Sequence, residues 1–146
     1  MKIIKFENKY RDDLIFMILE AKNALGRIPG LNEDLLDIQK NYFGRGDMFW
    51  IAIDENDRVI GSVGFNTDDV NGATLHRLFV KCNLKHHGIG TALLKTAEEY
   101  IKQIGREIVY VNLGKGDEWF ESRNFYKKHG YVEFKPNKMK KVFTEE

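Results

Sequence analysis

The stretch whose reading decides the fold is Val80-Lys81-Cys82-Asn83-Leu84-Lys85-His86-His87-Gly88-Ile89-Gly90-Thr91-Ala92. It passes from a β-rich run through a short basic loop and a glycine-bearing turn into a helix. The helix is expected over 88–104, with Ile89, Leu93, Leu94, Ala97, Tyr100, Ile101 and Ile104 as one apolar stripe and Gly105 as its stop. The first-turn amides of a helix have no internal partner. With the macrodipole they offer an anion the equivalent of about half a positive charge. Gly88 and Gly90 carry no side chain there, so a phosphate can approach the amides closely. Lys85, and His86 or His87 when protonated, add positive charge at the mouth. Two glycines near a helix start are, taken alone, only a turn. Two rival phosphate motifs are excluded: no lysine follows Gly90 as in a Walker A loop, and position 93 is Leu93 where a dinucleotide fingerprint needs a third glycine.

Outward from this segment the elements read as follows. Residues 2–6 form a first strand. Residues 10–25 carry Leu14, Ile15, Ile18, Leu19 and Leu25 at helical spacing, and Gly26 ends that helix. Asn32 can cap a second helix whose inner face is Leu35, Leu36, Ile38, Tyr42 and Phe43. Strands follow at 48–53 and 58–65, joined by the polar turn 54–57. In the next strand, 73–82, alternation puts Thr74, His76, Leu78 and Val80 on one face and Leu75, Arg77 and Phe79 on the other. Beyond the 88–104 helix come a strand at 107–113, a helix at 117–129 ended by Gly130, and strands at 131–134 and 140–143. This order predicts an α/β sandwich around a mixed sheet.

The 146 residues fit one domain over 1–146. Hydrophobic residues at 42% and charged residues at 31% give an ordinary globular balance. A formal net charge of +1 draws the chain toward neither nucleic acid nor membrane. The densest basic cluster, Lys135, Lys138, Lys140 and Lys141, reads as a lysine-protected edge strand. One cysteine, Cys82, rules out an internal disulfide and suits a reducing cytoplasm. The apolar start at 1–6 is too short for a signal peptide, and the longest apolar run, 14–19, is far below a membrane span. His76, His86, His87 and His129 lack ligand spacing with acidic partners, so no metal is expected.

The pattern of a basic residue, two residues, Gly, one residue and Gly, opening a helix after a strand, resembles the pyrophosphate motif of the GNAT superfamily of N-acetyltransferases. Lys85, Gly88 and Gly90 match, with Lys85 in place of the usual Arg or Gln and Cys82 in place of a common proline. A second match lies downstream, where Tyr126 precedes Gly130-Tyr131 by four residues, as in the family's late helix and turn. Trp119 stands where many members have asparagine. The resemblance implies a mostly antiparallel mixed sheet of about seven strands flanked by four helices, with the fourth and fifth strands splayed. It implies acetyl-CoA as cosubstrate, seated by Phe79, Val80, Lys85, His86, His87, Gly88, Ile89, Gly90 and Thr91.

The resemblance further implies direct attack of an amine on the thioester. Tyr126 is the candidate general acid for the CoA thiolate, and a strand N–H near Phe79 and Val80 stabilises the oxyanion. The base stays open between His76, the position of Thr74, and a water chain. Cys82 reads as a small, unreactive residue and not as an acyl carrier. The acceptor is a small-molecule or peptide amine. No nucleic-acid or membrane partner is expected, and a homodimer is compatible with the reading. In the family's layout the acceptor side is walled by 25–34 and 66–72. Glu33, Asp34, Asp68 and Asp69 there would draw a cationic amine. A non-catalytic acyl-CoA sensor on the same fold is the alternative.

Overall fold

The computed structural model describes residues 1–67 and 69–143. Its strands are β1 (Lys2–Lys5), β2 (Met48–Ile53), β3 (Val59–Asn66), β4 (Gly72–Val80), β5 (Ile108–Asn112), β6 (Val132–Lys135) and β7 (Lys138–Val142). Its helices are α1 (Arg11–Ala24), α2 (Ile38–Asn41), α3 (Ile89–Gln103) and α4 (Phe120–Lys128). The described strands form one sheet in the order β1-β2-β3-β4-β5-β7-β6. Every neighbouring pair is antiparallel except β4 and β5. That parallel pair is held only at Gly72↔Ile108, Ala73↔Val109 and Thr74↔Tyr110. Beyond Thr74 the two strands part, which is the expected splay.

The sheet separates two apolar cores. β2 shows why its sequence reads as an unbroken apolar run. Met48, Trp50 and Ala52 face one core, and Phe49, Ile51 and Ile53 face the other. A strand covered on both faces has no polar alternation to show. α3 covers the first core with Ile89, Leu93, Leu94, Ala97 and Ile101. Gly61 on β3 lets it approach, since a Cβ there would lie 2.7 Å from Leu93 Cδ1. α1 covers the second core with Leu14, Met17, Ile18 and Ala21, spaced i, i+3, i+4, i+7.

Two expectations are corrected. The second helix is broken: a 3-10 turn at Glu33–Leu36, the four-residue α2, then another 3-10 turn at Phe43–Arg45. The break falls at Asp37, whose extended backbone (φ −145°, ψ 79°) frees its side chain to accept from the Lys40 amide and cap α2. Leu36, expected on the inner face, is 47% exposed, while Leu35, Ile38 and Tyr42 are buried.

The alternation along β4 does not run through. Gly64 pairs with His76 and Ser62 with Phe79, so Val63 alone faces both Arg77 and Leu78. Arg77 takes a left-handed backbone (φ 57°) in this bulge, and its carbonyl accepts from the Ser62 hydroxyl at 2.7 Å. Past the bulge the faces exchange. Leu78 and Val80 pack with Ala73 and Leu75 against the α3 core, and Phe79 turns to the α1 core. His76 and Val80, expected on one face, therefore lie on opposite faces.

Candidate active site

The splay, the bulge and the 81–88 loop together shape a cleft of about 760 Å³. Leu78, Phe79 and Val80 of β4 form one wall, and Ser122, Phe125 and Tyr126 of α4 the other. Its floor is the turn itself, with Lys85, His86, Gly88, Ile89, Gly90 and Thr91 lining it. Ala21, Leu25 and Arg27, from the end of α1 and the segment after it, also line it.

The turn leaves the start of α3 without a side-chain cap. Gly88 is the N-cap of α3 with φ 83°, a left-handed conformation that needs glycine, and no side chain caps the helix. The first-turn amides are thus left to a ligand. Gly90 has no such backbone demand. A Cβ there would meet Phe125 and Val80 at 3.4–3.5 Å, ordinary contact distances. Packing within the protein therefore does not require glycine at 90. His86, like Gly88, has a positive φ (67°) and is exposed at the mouth.

The other expected residues divide. His87 is exposed and does not line the cleft, and His76 does not line it either. Lys85 lines it, but its ammonium is paired with Glu121 on α4 at 3.0 Å, so its charge is already shared across the mouth. Tyr126 lines the cleft while only 8% exposed, edge-on to Phe125 and Tyr131 at 5.3 and 5.2 Å. Its hydroxyl makes no hydrogen bond among the described residues. Burial pushes the phenol above its ordinary 10.0, with Arg27 pulling the other way. A core tyrosine held by a hydrogen-bonded hydroxyl would look different.

Three further residues line the cleft that were not among the expected site residues, although Arg27 lies in the 25–34 segment expected on the acceptor side. His129, at the end of α4, lines the cleft with Nε2 3.2 Å from Thr91 Oγ1. Burial lowers its pKa, partly offset by Glu98. Its position one residue before the Gly130-Tyr131 pair was the one available signal. Arg27 reaches α4, donating from Nη2 to Ser122 Oγ at 2.9 Å and lying 3.5 Å over the Trp119 ring. Trp119 is thereby a platform for Arg27, and it also covers Gly114, where a Cβ would overlap the indole. Phe125 packs on His129 at 4.7 Å and forms the apolar side of the turn.

On the expected acceptor wall two of the four acids, Asp34 and Asp69, are engaged. Asp34 accepts from Arg77 at 2.9 and 3.1 Å and from the Tyr42 hydroxyl at 2.5 Å. Asp69 Oδ1 accepts from the Asn71 and Gly72 amides as a turn cap. Glu33 is exposed, and Asp68 lies outside the described residues. Among the described residues no group of His, Cys, Asp and Glu could hold a metal ion, and no helix is long and apolar enough to cross a membrane.

Residues 15–131 match the model of the acetyltransferase (GNAT) family. An acetyltransferase of the GNAT family from Staphylococcus aureus superposes with a TM-score of 0.88 at 24% identity, covering 98% of this chain and 99% of that one. A PaiA N-acetyltransferase from Thermoplasma acidophilum, solved in complex with coenzyme A, superposes with a TM-score of 0.77 at 22% identity over 97% and 98%. An uncharacterized N-acetyltransferase of Methanocaldococcus jannaschii is 43% identical over 61 residues, which is 42% of this chain and 26% of that relative. The matched stretch is thus about a quarter of the relative's length. The family model covers both the glycine turn and the Tyr126 helix, and the chain belongs to the GNAT family.

Proposed function

We propose that the protein is an N-acetyltransferase that moves an acetyl group from acetyl-CoA to an amine by direct attack. The observation that carries this is that the uncapped α3 N-terminus and the buried, unbonded Tyr126 hydroxyl open into one cleft at the strand splay. The pyrophosphate sits on the amides of 88–91, and the pantetheine arm runs along Phe79 and Val80 in the gap. Coenzyme A in the Thermoplasma relative supports acyl-CoA as the cosubstrate. The Lys81 amide donates to Ile60 of β3 at 2.9 Å, so by strand alternation the Val80 N–H faces the gap. It is the proposed oxyanion donor, a role whose removal typically costs about 2.7–4 kcal/mol of barrier.

In the reaction the neutral amine attacks the thioester carbon, and the tetrahedral intermediate collapses with cleavage of the C–S bond. The thiolate takes the proton of Tyr126, and the amine gives its proton to water leading to solvent. His76, outside the cleft lining, is the less suited base. The whole segment works as one domain in this reading.

Acetyl-CoA is expected to raise the melting temperature, as any ligand selective for the folded state does. Gly90→Asp places a carboxylate and a Cβ at the pyrophosphate position, and the shift should vanish in the folded variant. Undiminished binding by that variant would remove the site assignment. An acceptor screen reading free thiol separates transfer from a sensor, which would show the shift without turnover.

A further inference from the structure

Arg27 lines the cleft with most of its hydrogen-bonding capacity unspent among the described residues. A guanidinium has five N–H donors and stays charged. Only Nη2 is used, toward Ser122. Nε is buried and has no hydrogen-bond partner among the described residues. No carboxylate of the described residues lies within ion-pair distance of Arg27. Burial depresses its pKa, opposed by Tyr126, Glu121 and Glu118. Glu121 is already taken by Lys85. The buried Nε is closed to the cleft, but Nη1 has no hydrogen-bond partner among the described residues, so this half-buried cation of the lining has donors to offer a ligand.

Its position says which part of the reaction that ligand belongs to. Ser122 and Tyr126 are spaced i, i+4 on α4 and so share a face. Arg27 therefore bonds to α4 one helical turn before the candidate acid, and Leu25, Ala21 and Phe120 line the same cleft. The surrounding charges agree. Asp34 is neutralised by Arg77, and Lys22 is turned to the Gly30 carbonyl and Asn32. The guanidinium carbon lies 3.5 Å over the Trp119 ring, and a guanidinium's planar fork suits a carboxylate.

Resting on the transfer reading above, we infer that the acceptor is an amine that also carries a carboxylate, and that Arg27 receives that carboxylate beside the thioester. This selects against the cationic amines that the acidic loops alone would have favoured.

The test compares aminocarboxylates of two to six carbons with the carboxamides of the same chains and with diamines of equal length. Thiol release is measured with wild type, Arg27→Gln and Arg27→Lys, and acetyl-CoA affinity by calorimetry. In wild type the carboxylate should exceed its carboxamide in kcat/KM by about tenfold or more. Arg27→Gln should bring that ratio close to one, Arg27→Lys should keep part of it, and acetyl-CoA affinity should hold in both. A purely structural clamp would lower all acceptors together and leave the ratio alone, which overturns the inference. So does a diamine or carboxamide that equals the carboxylate in wild type, or an acetyl-CoA affinity that falls in step with the ratio. Turnover of carboxamides alone removes this inference and leaves the transfer reading. Absence of turnover with every amine, while acetyl-CoA still raises the melting temperature, removes the transfer reading itself.

Discussion

Tyr126 holds a protonated phenol against an apolar wall, and its raised pKa decides how it can act. Since burial moves it above 10.0, it remains a donor at any pH below that value. Tyr126→Phe keeps the ring packing on Phe125 and Tyr131 and removes the proton. A fall in kcat of about 10²–10⁴-fold is expected, with acetyl-CoA affinity held. The wild-type kcat profile should rise with pH as the amine loses its proton and show no alkaline limb from this residue below pH 10. An alkaline limb below pH 10 that disappears in Tyr126→Phe would contradict the raised pKa while still marking the hydroxyl as the acid. Cys82 gives the opposite expectation. It is free and exposed, and it does not line the cleft. Cys82→Ser should keep kcat within about twofold, in the range of neutral surface changes. A loss of acyl transfer in that variant would point to an acyl-cysteine route. Tyr126 and the glycines were legible because each sits in a contiguous motif. Arg27 was not, because its partner Ser122 is 95 residues away and nothing local marks the pairing.

At the scale of elements, the sequence read best where one face is buried and worst where a single residue changes the geometry. α3 shows its stripe from Ile89 to Ile101 and its glycine start, and it falls where expected. β4 misled because Leu78 and Val80 continue the apparent alternation of Thr74 and His76, while the bulge shifts everything after it by one. A left-handed arginine leaves no trace in an apolar-polar pattern. The second helix misled for a similar reason: its apolar residues keep helical spacing, but the Asp37 side chain offers the Lys40 amide a new start. The bulge can be tested. Arg77→Gly and Arg77→Val both lose the ion pair to Asp34, so their difference isolates the backbone. Glycine accepts φ 57° freely, whereas a β-branched residue does not. Arg77→Gly should be the more stable by about 1–2 kcal/mol in urea unfolding, the ordinary cost of a left-handed residue. Equal stability would mean that the strand can slip out of the bulge, and Phe79 would then exchange faces with Val80.

Across the whole molecule, two carboxylates tie helix-side segments to the sheet, and both make stability depend on acid. Asp13 of α1 accepts from Arg58 at 2.8 and 3.0 Å and from the Val59 amide at the start of β3. Hydrogen bonding to Arg58 lowers its pKa against the opposing effect of burial. Asp34 joins the segment before α2 to the β4 bulge through Arg77 and to the end of α2 through Tyr42. Burial alone would raise it, but the Arg77 and Tyr42 bonds outweigh burial, and the net shift is down. The sign follows from proton binding. A carboxyl depressed in the folded state takes its proton at lower pH than the unfolded chain does, so acid favours unfolding. The stabilisation is complete above the ordinary value of 3.8 and drains away as pH falls below it toward the folded values. Urea midpoints should thus be level between pH 7 and 5 as far as these two groups are concerned, then drop below about pH 4. Asp34→Asn should lower the plateau by roughly 1.5–3 kcal/mol, the range for hydrogen bonds to charged groups, and make the acid fall shallower. Because Arg77 is held in the bulge by the same carboxylate, that variant should also lose transfer activity through a looser β4. Tyr42→Phe, which removes one bond to Asp34 and leaves Arg77 paired, should lose less of both. A variant in which the acid slope is unchanged would show that Asp34 titrates alike in the folded and unfolded chain. The link between the segment before α2 and β4 would then have to rest on packing alone.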